Sequence, residues 1–233
     1  MQLTADPGAF PPTPPPDTSD ASAIANHEWA AFGNVEEMAN HWDRPGWTPS
    51  TRAYYWMLTF PDAFPLIDHA RHCQKALRHL GFDDINEEGL HLTLGRIGHV
   101  GEIGSGQLDR LVAAAHKARP KAFTMRAVPL TASRGAIRYS VAPWPPVIQL
   151  HATLAAAGVE SGLPPRKPTS ILRPHLGLAY CNRPMPADIV RDAVRPLRSL
   201  DGVDVPVQRV QLVELRREGR AYRWHVIHSL ELR

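Results

Sequence analysis

His91-Leu92-Thr93-Leu94 and His175-Leu176-Gly177-Leu178 decide how this chain is read. The two histidines stand 84 residues apart, and the predicted elements around them recur in the same order. Leu90 to Ile97 reads as a strand. A loop over 98–106 and a helix to about Ala118 follow, then a hairpin of Phe123 to Val128 and Ala136 to Val141 that turns at Ser133-Arg134-Gly135. In the second round Ile171 to Tyr180 is the strand, 187–200 the helix, and Val205 to Leu215 with Ala221 to Leu232 the hairpin. Further helices at 62–80 and 146–158 each precede one of the repeated strands; Leu66, Ala70, Cys73, Leu77 and Leu80 fall on one helical face. An internal repeat of this kind predicts an α+β fold, bilobal and duplicated, with two antiparallel sheets facing a central cleft and helices outside. The cleft is the natural ligand site.

The four-residue motif has a physical meaning. Side chains alternate along a strand, so His91 and Thr93 share one face while Leu92 and Leu94 share the other. The leucines bury, and the polar pair is held toward the cleft. His175 and Gly177 repeat the pattern in the other lobe. Two imidazoles across a phosphate supply a general base and a general acid near neutral pH, without a metal or other cofactor. Thr93 offers a hydroxyl to a non-bridging phosphate oxygen. Arg173, two residues before His175, shares its face if the strand is regular there, and its guanidinium suits phosphate. Tyr139, on a hairpin strand, offers a ring on which a base can stack. His69, His72 and His79 read as a solvated helix face rather than a metal site. The glycines at 98–106 lack the lysine of a phosphate-binding loop.

Working outward, the rest of the chain divides at residue 50. Six of the first sixteen residues are proline, and residues 1–50 hold seven acids and one base, a net charge of −6. Residues 51–233 have a net charge of +9, which suits an anionic ligand such as a nucleotide or an RNA end. Residues 1–50 are therefore expected to form an acidic, Pro-rich, partly disordered extension, and 51–233 the bilobal domain. Within the extension, Trp29, Phe32, Val35 and Met38 suggest a short helix over 21–41, and Trp42 and Trp47 around Pro45-Gly46 suggest a segment that packs on the body. Cys73 and Cys181 are too few for a disulfide framework or a structural zinc site. There is no signal peptide and no apolar run long enough for a membrane span, which predicts a cytoplasmic protein.

The paired motifs and the duplicated layout resemble the two-histidine (2H) phosphoesterase superfamily over about residues 52–233. That group includes bacterial 2'-5' RNA ligase-like proteins and RNA 2',3'-cyclic phosphodiesterases. The resemblance implies metal-independent phosphodiester chemistry on 2',3'-cyclic or 2'-5' linkages, with RNA ends or cyclic nucleotides as partners and a monomer as the default state. It makes His91 and His175 the acid–base pair and Thr93 a phosphate ligand. One departure is plain: the second motif usually carries Thr or Ser where this chain has Gly177. The alternative reading is a cleft of the same shape that binds a nucleotide or RNA end with weakened catalysis, with Gly177 as part of the pocket wall.

Overall fold

The structure is a computed structural model and describes residues 2–43 and 45–233; Arg44, in the segment around Trp47, lies outside the described residues. After a proline-rich stretch, α1 (Ala21–Gly33) starts at Asp20, whose carboxylate accepts the Ala23 N–H at 2.6 Å. β1 (Glu37–Met38) and β2 (Arg52–Thr59) follow. α2 (Phe64–Leu77) carries a proline in its first turn, where a missing N–H costs no hydrogen bond, and buries Leu66, Ile67, Ala70, Cys73 and Leu77. Gly81, at φ 64°, closes the turn beyond it. Then come β3 (Asp83–Asp84), β4 (His91–His99), α3 (Ser105–Ala118), β5 (Phe123–Ser133), β6 (Ala136–Ala142), α4 (Trp144–Glu160), β7 (His175–Tyr180), β8 (Met185–Pro186) and α5 (Ala187–Val194). β9 (Val203–Val207), β10 (Arg209–Glu218) and β11 (Ala221–Glu231) complete the chain.

Two antiparallel sheets carry the molecule. The first has the order β11-β10-β2-β4 and the second β3-β7-β6-β5-β9, while β1 and β8 form a small ribbon. The two motif strands, β4 and β7, lie beside one another where the sheets meet. The hairpins are exchanged relative to the repeat. β5 and β6, which follow the first motif, pair in the second motif's sheet; β10 and β11, which follow the second, pair in the first's. The segment expected as one strand from Val205 breaks at Gln208: β9 edges the second sheet and β10 enters the first. Pro206, lacking an N–H, is accommodated in β9 because that strand is an edge.

The acidic, Pro-rich extension makes defined contacts with the domain. Residues 2–43 are built into the fold. Thr4 donates its N–H to the Ser170 carbonyl, Trp144 donates its N–H to the Thr18 carbonyl, and β1 pairs with β8. α1, which belongs to the extension, packs on a sheet face of the domain. Glu28 is fully buried, 3.4 Å from Arg138 and accepting from the Ser140 hydroxyl at 2.9 Å. Arg138 and Ser140 lie opposite Gly177 and His175 in the β6–β7 register, so α1 covers part of the motif-bearing face of the second sheet. Ile24 of α1 packs there against Ala142 and Val128. α2 takes the opposite face of that sheet, and α3 and α4 the outer face of the first.

Candidate functional site

Each motif histidine opens its strand, and each is held in the same way. His91 Nδ1 lies 2.7 Å from the carbonyl oxygen of Gly89, and His175 Nδ1 lies 2.8 Å from that of Arg173. A carbonyl only accepts, so both Nδ1 atoms carry the proton. The neutral rings therefore present an unprotonated Nε2. A backbone partner two residues upstream fixes both tautomer and ring orientation in the two repeats. His91 is half-buried, and burial pushes its pKa below the ordinary histidine range, with the Gly89 contact opposing. Trp224 of β11 meets the His91 ring edge-on at 5.4 Å. His175 is exposed.

Both strands also carry the same irregularity. Along β4 the pairing steps from Thr93–Met57 to Gly95–Trp56 and leaves Leu94 extra; along β7 it steps from Gly177–Arg138 to Ala179–Ile137 and leaves Leu178 extra. A one-residue bulge resets the alternation of side chains. Arg96 then pairs with Tyr55, two residues from Met57 on β2, and Tyr180 pairs with Ala136, two from Arg138 on β6. Both therefore return to the histidine face. Simple alternation missed them, and no single residue in either motif signals a bulge.

Around these strands the first sheet presents Tyr55, Tyr222 and Trp224, packed with Trp47 over buried Met57, Val213 and Leu215. Tyr222 meets Tyr180 across the sheets at 5.6 Å, and the His41 ring stacks on Tyr180 at 3.9 Å. The sequence reading gave Tyr55, Tyr180, Tyr222 and Trp224 no role in the site, because they come from β2, β7 and β11 and converge only through the sheet order.

The remaining candidates separate. Thr93 is half-buried on the face of His91. Gly177 faces the same side as His175, and a Cβ there would stand 2.7 Å from Ile85 Cδ1, so Ile85 fills the space a side chain would need. Tyr139 is not a stacking platform. It pairs with Leu176, which puts it on the opposite face; it is fully buried, with its hydroxyl 2.8 Å from His69 Nδ1. Nor is Arg173 a phosphate ligand. It is buried, and its guanidinium donates to the carbonyls of Thr4 (2.7 Å), Pro11 (3.0 Å), Pro12 (3.3 Å) and Leu172 (3.1 Å). The turn before Pro174 directs it to the extension, not the cleft. Cys73, close to His69, is no nucleophile: it is buried, and burial pushes its thiol up to about 11. Among the described residues no group of three or more His, Cys, Asp or Glu side chains could hold a metal ion, and no helix is long and apolar enough to cross a membrane.

The arrangement is similar to known structures. The apo crystal structure of LigT from E. coli matches with a TM-score of 0.57 at 16% identity, covering 78% of this chain and 98% of that one. TT0787 of Thermus thermophilus matches with a TM-score of 0.57 at 18% identity, covering 77% and 97%. These likenesses are of fold. No curated protein sequence matches the chain. The model of the 2'-5' RNA ligase superfamily matches residues 61–219, which contain both histidine motifs and most of the two sheets. With that match over more than half its length, the chain belongs to the 2'-5' RNA ligase superfamily, the 2H phosphoesterases.

Proposed function

We propose that this protein is a metal-independent phosphodiesterase acting on 2',3'-cyclic phosphates of RNA ends or nucleotides, with reversible 2'-5' ligation when a ribose 5'-hydroxyl takes the place of water. The observation that carries the reading is the duplicated histidine–carbonyl pair, which aims two preset imidazoles from neighbouring strands. His91 is the general base. Its burial favours the neutral ring, whose Nε2 takes a proton from water as the water oxygen bonds to phosphorus. His175 in its imidazolium form is the general acid: its Nδ1 stays on the Arg173 carbonyl and its Nε2 gives a proton to the ribose oxygen as the bond from that oxygen to phosphorus breaks. Thr93 donates its hydroxyl to a non-bridging oxygen, and Arg96 adds a cation on the same face. Residues 51–233 carry this chemistry, with the protein acting in the cytoplasm as a monomer. LigT of E. coli has been crystallised with 3'-AMP, ATP and NADP+, which supports a nucleotide as the ligand class here.

The test is hydrolysis of a 2',3'-cyclic mononucleotide, and of a short RNA ending in that group, with EDTA present. His91→Ala and His175→Ala should each lower turnover by at least about a hundredfold while keeping the fold. Retained activity in both variants would sink the proposal. One observation favours a second reading, a nucleotide-binding module. Gly177 provides no hydroxyl, and a missing donor of that kind costs about 3–4 kcal/mol of transition-state stabilisation. Tight binding without product on long incubation would select it.

A further inference from the structure

The second motif lacks the hydroxyl that Thr93 gives the first, yet its strand brings a hydroxyl to the same face by another route. The bulge at Leu178 turns Tyr180 onto the side of Gly177 and His175. Its Oη lies 3.9 Å from the point where a Cβ of residue 177 would stand. The hydroxyl of Tyr180 and that of a Ser or Thr at 177 would thus serve one volume. The Tyr180 ring is held in place: it stacks on His41 at 3.9 Å with planes 25° apart, meets Trp42 edge-on at 5.1 Å, and meets Tyr222 of the other sheet at 5.6 Å. A hydroxyl on a ring fixed from both sheets needs little further ordering to meet a ligand. The position 84 residues earlier, past the matching bulge, is Arg96, whose side chain makes no hydrogen bond or ion pair among the described residues. Each repeat thus aims one phosphate-seeking group from beyond its bulge: a cation in the first and a phenol in the second.

We infer that Tyr180 is a phosphate-contacting residue that donates its hydroxyl to a non-bridging phosphate oxygen in place of the missing hydroxyl at position 177. The inference rests on the phosphodiesterase reading for its role in turnover, and on geometry alone for its role in binding. The experiment therefore measures both: the affinity of the intact chain for inorganic phosphate by calorimetry, and kcat/KM on a 2',3'-cyclic mononucleotide. Tyr180→Phe removes one oxygen and leaves the ring packing in place. It should weaken phosphate binding about tenfold or more and lower kcat/KM about a hundredfold. Gly177→Ser added to Tyr180→Phe, with Ile85→Val to clear the Cδ1 that a side chain would meet, should recover most of the loss. Tyr139→Phe, in the same sheet but facing away, should change neither value. A Tyr180→Phe variant within twofold of the parent in both measurements overturns the inference, as does a parent that binds no phosphate. If the parent hydrolyses no cyclic phosphate but Tyr180→Phe still loses phosphate affinity, the hydrolase reading falls and the assignment of Tyr180 stands.

Discussion

Replacing Arg173 with alanine tests how the extension is held. The guanidinium spans Thr4, Pro11 and Pro12 with three hydrogen bonds, and it is buried. Charge-assisted hydrogen bonds are worth about 1.5–3 kcal/mol each, but three on one side chain are not additive. The alanine variant also leaves carbonyls without donors beneath the proline-rich segment. A loss of about 3–5 kcal/mol follows, at the upper end for one substitution. Urea unfolding should show a lower midpoint, and limited proteolysis should cut within residues 2–20 before the body is touched. Arg173→Lys should fall between parent and alanine, because one ammonium cannot reach all three carbonyls. The Arg173 carbonyl also holds His175 Nδ1, so turnover should fall with the docking of the extension. A stability change below about 1 kcal/mol, with the extension still resistant, would refute the reasoning.

Two more outcomes follow from buried charge. With His91 as base, the acidic limb of kcat/KM should lie below the ordinary histidine range, because burial favours the neutral ring; Trp224→Ala, which opens His91 to water, should move that limb upward in a pH–rate profile. Glu28→Ala strands the buried Arg138 guanidinium and should cost about 3–5 kcal/mol in chemical denaturation, whereas replacing Glu28 and Arg138 together by apolar residues should cost much less.

The sequence made the motif strands, the helices and the antiparallel character legible, because each rests on local periodicity. Leu66 through Leu77 could lie only on one helical face, and they bury there. Hairpin exchange was not legible, because nothing local says which of two similar sheets a hairpin joins. The site was half legible. His91, Thr93, His175 and Gly177 follow from alternation. Arg96 and Tyr180 do not, since a single extra residue at Leu94 or Leu178 reverses the parity of all that follows. Arg173 and Tyr139 misled for the same kind of reason. One stands beyond the regular strand, next to Pro174, and the other is opposite Leu176 rather than His175.

The ties of the extension span most of the chain: Thr4 meets Arg173 169 positions later, and the His41 ring lies 3.2 Å from the Tyr222 hydroxyl, 181 positions on. During synthesis this segment emerges well before the residues that hold it. At roughly 5–20 residues per second, Thr4 waits about 8–34 s for its partner to be made. A proline-rich, acidic stretch is well suited to that wait, since it offers neither strand edges nor an apolar run to neighbouring chains. Docking of the extension occurs only once the strand that carries His175 exists.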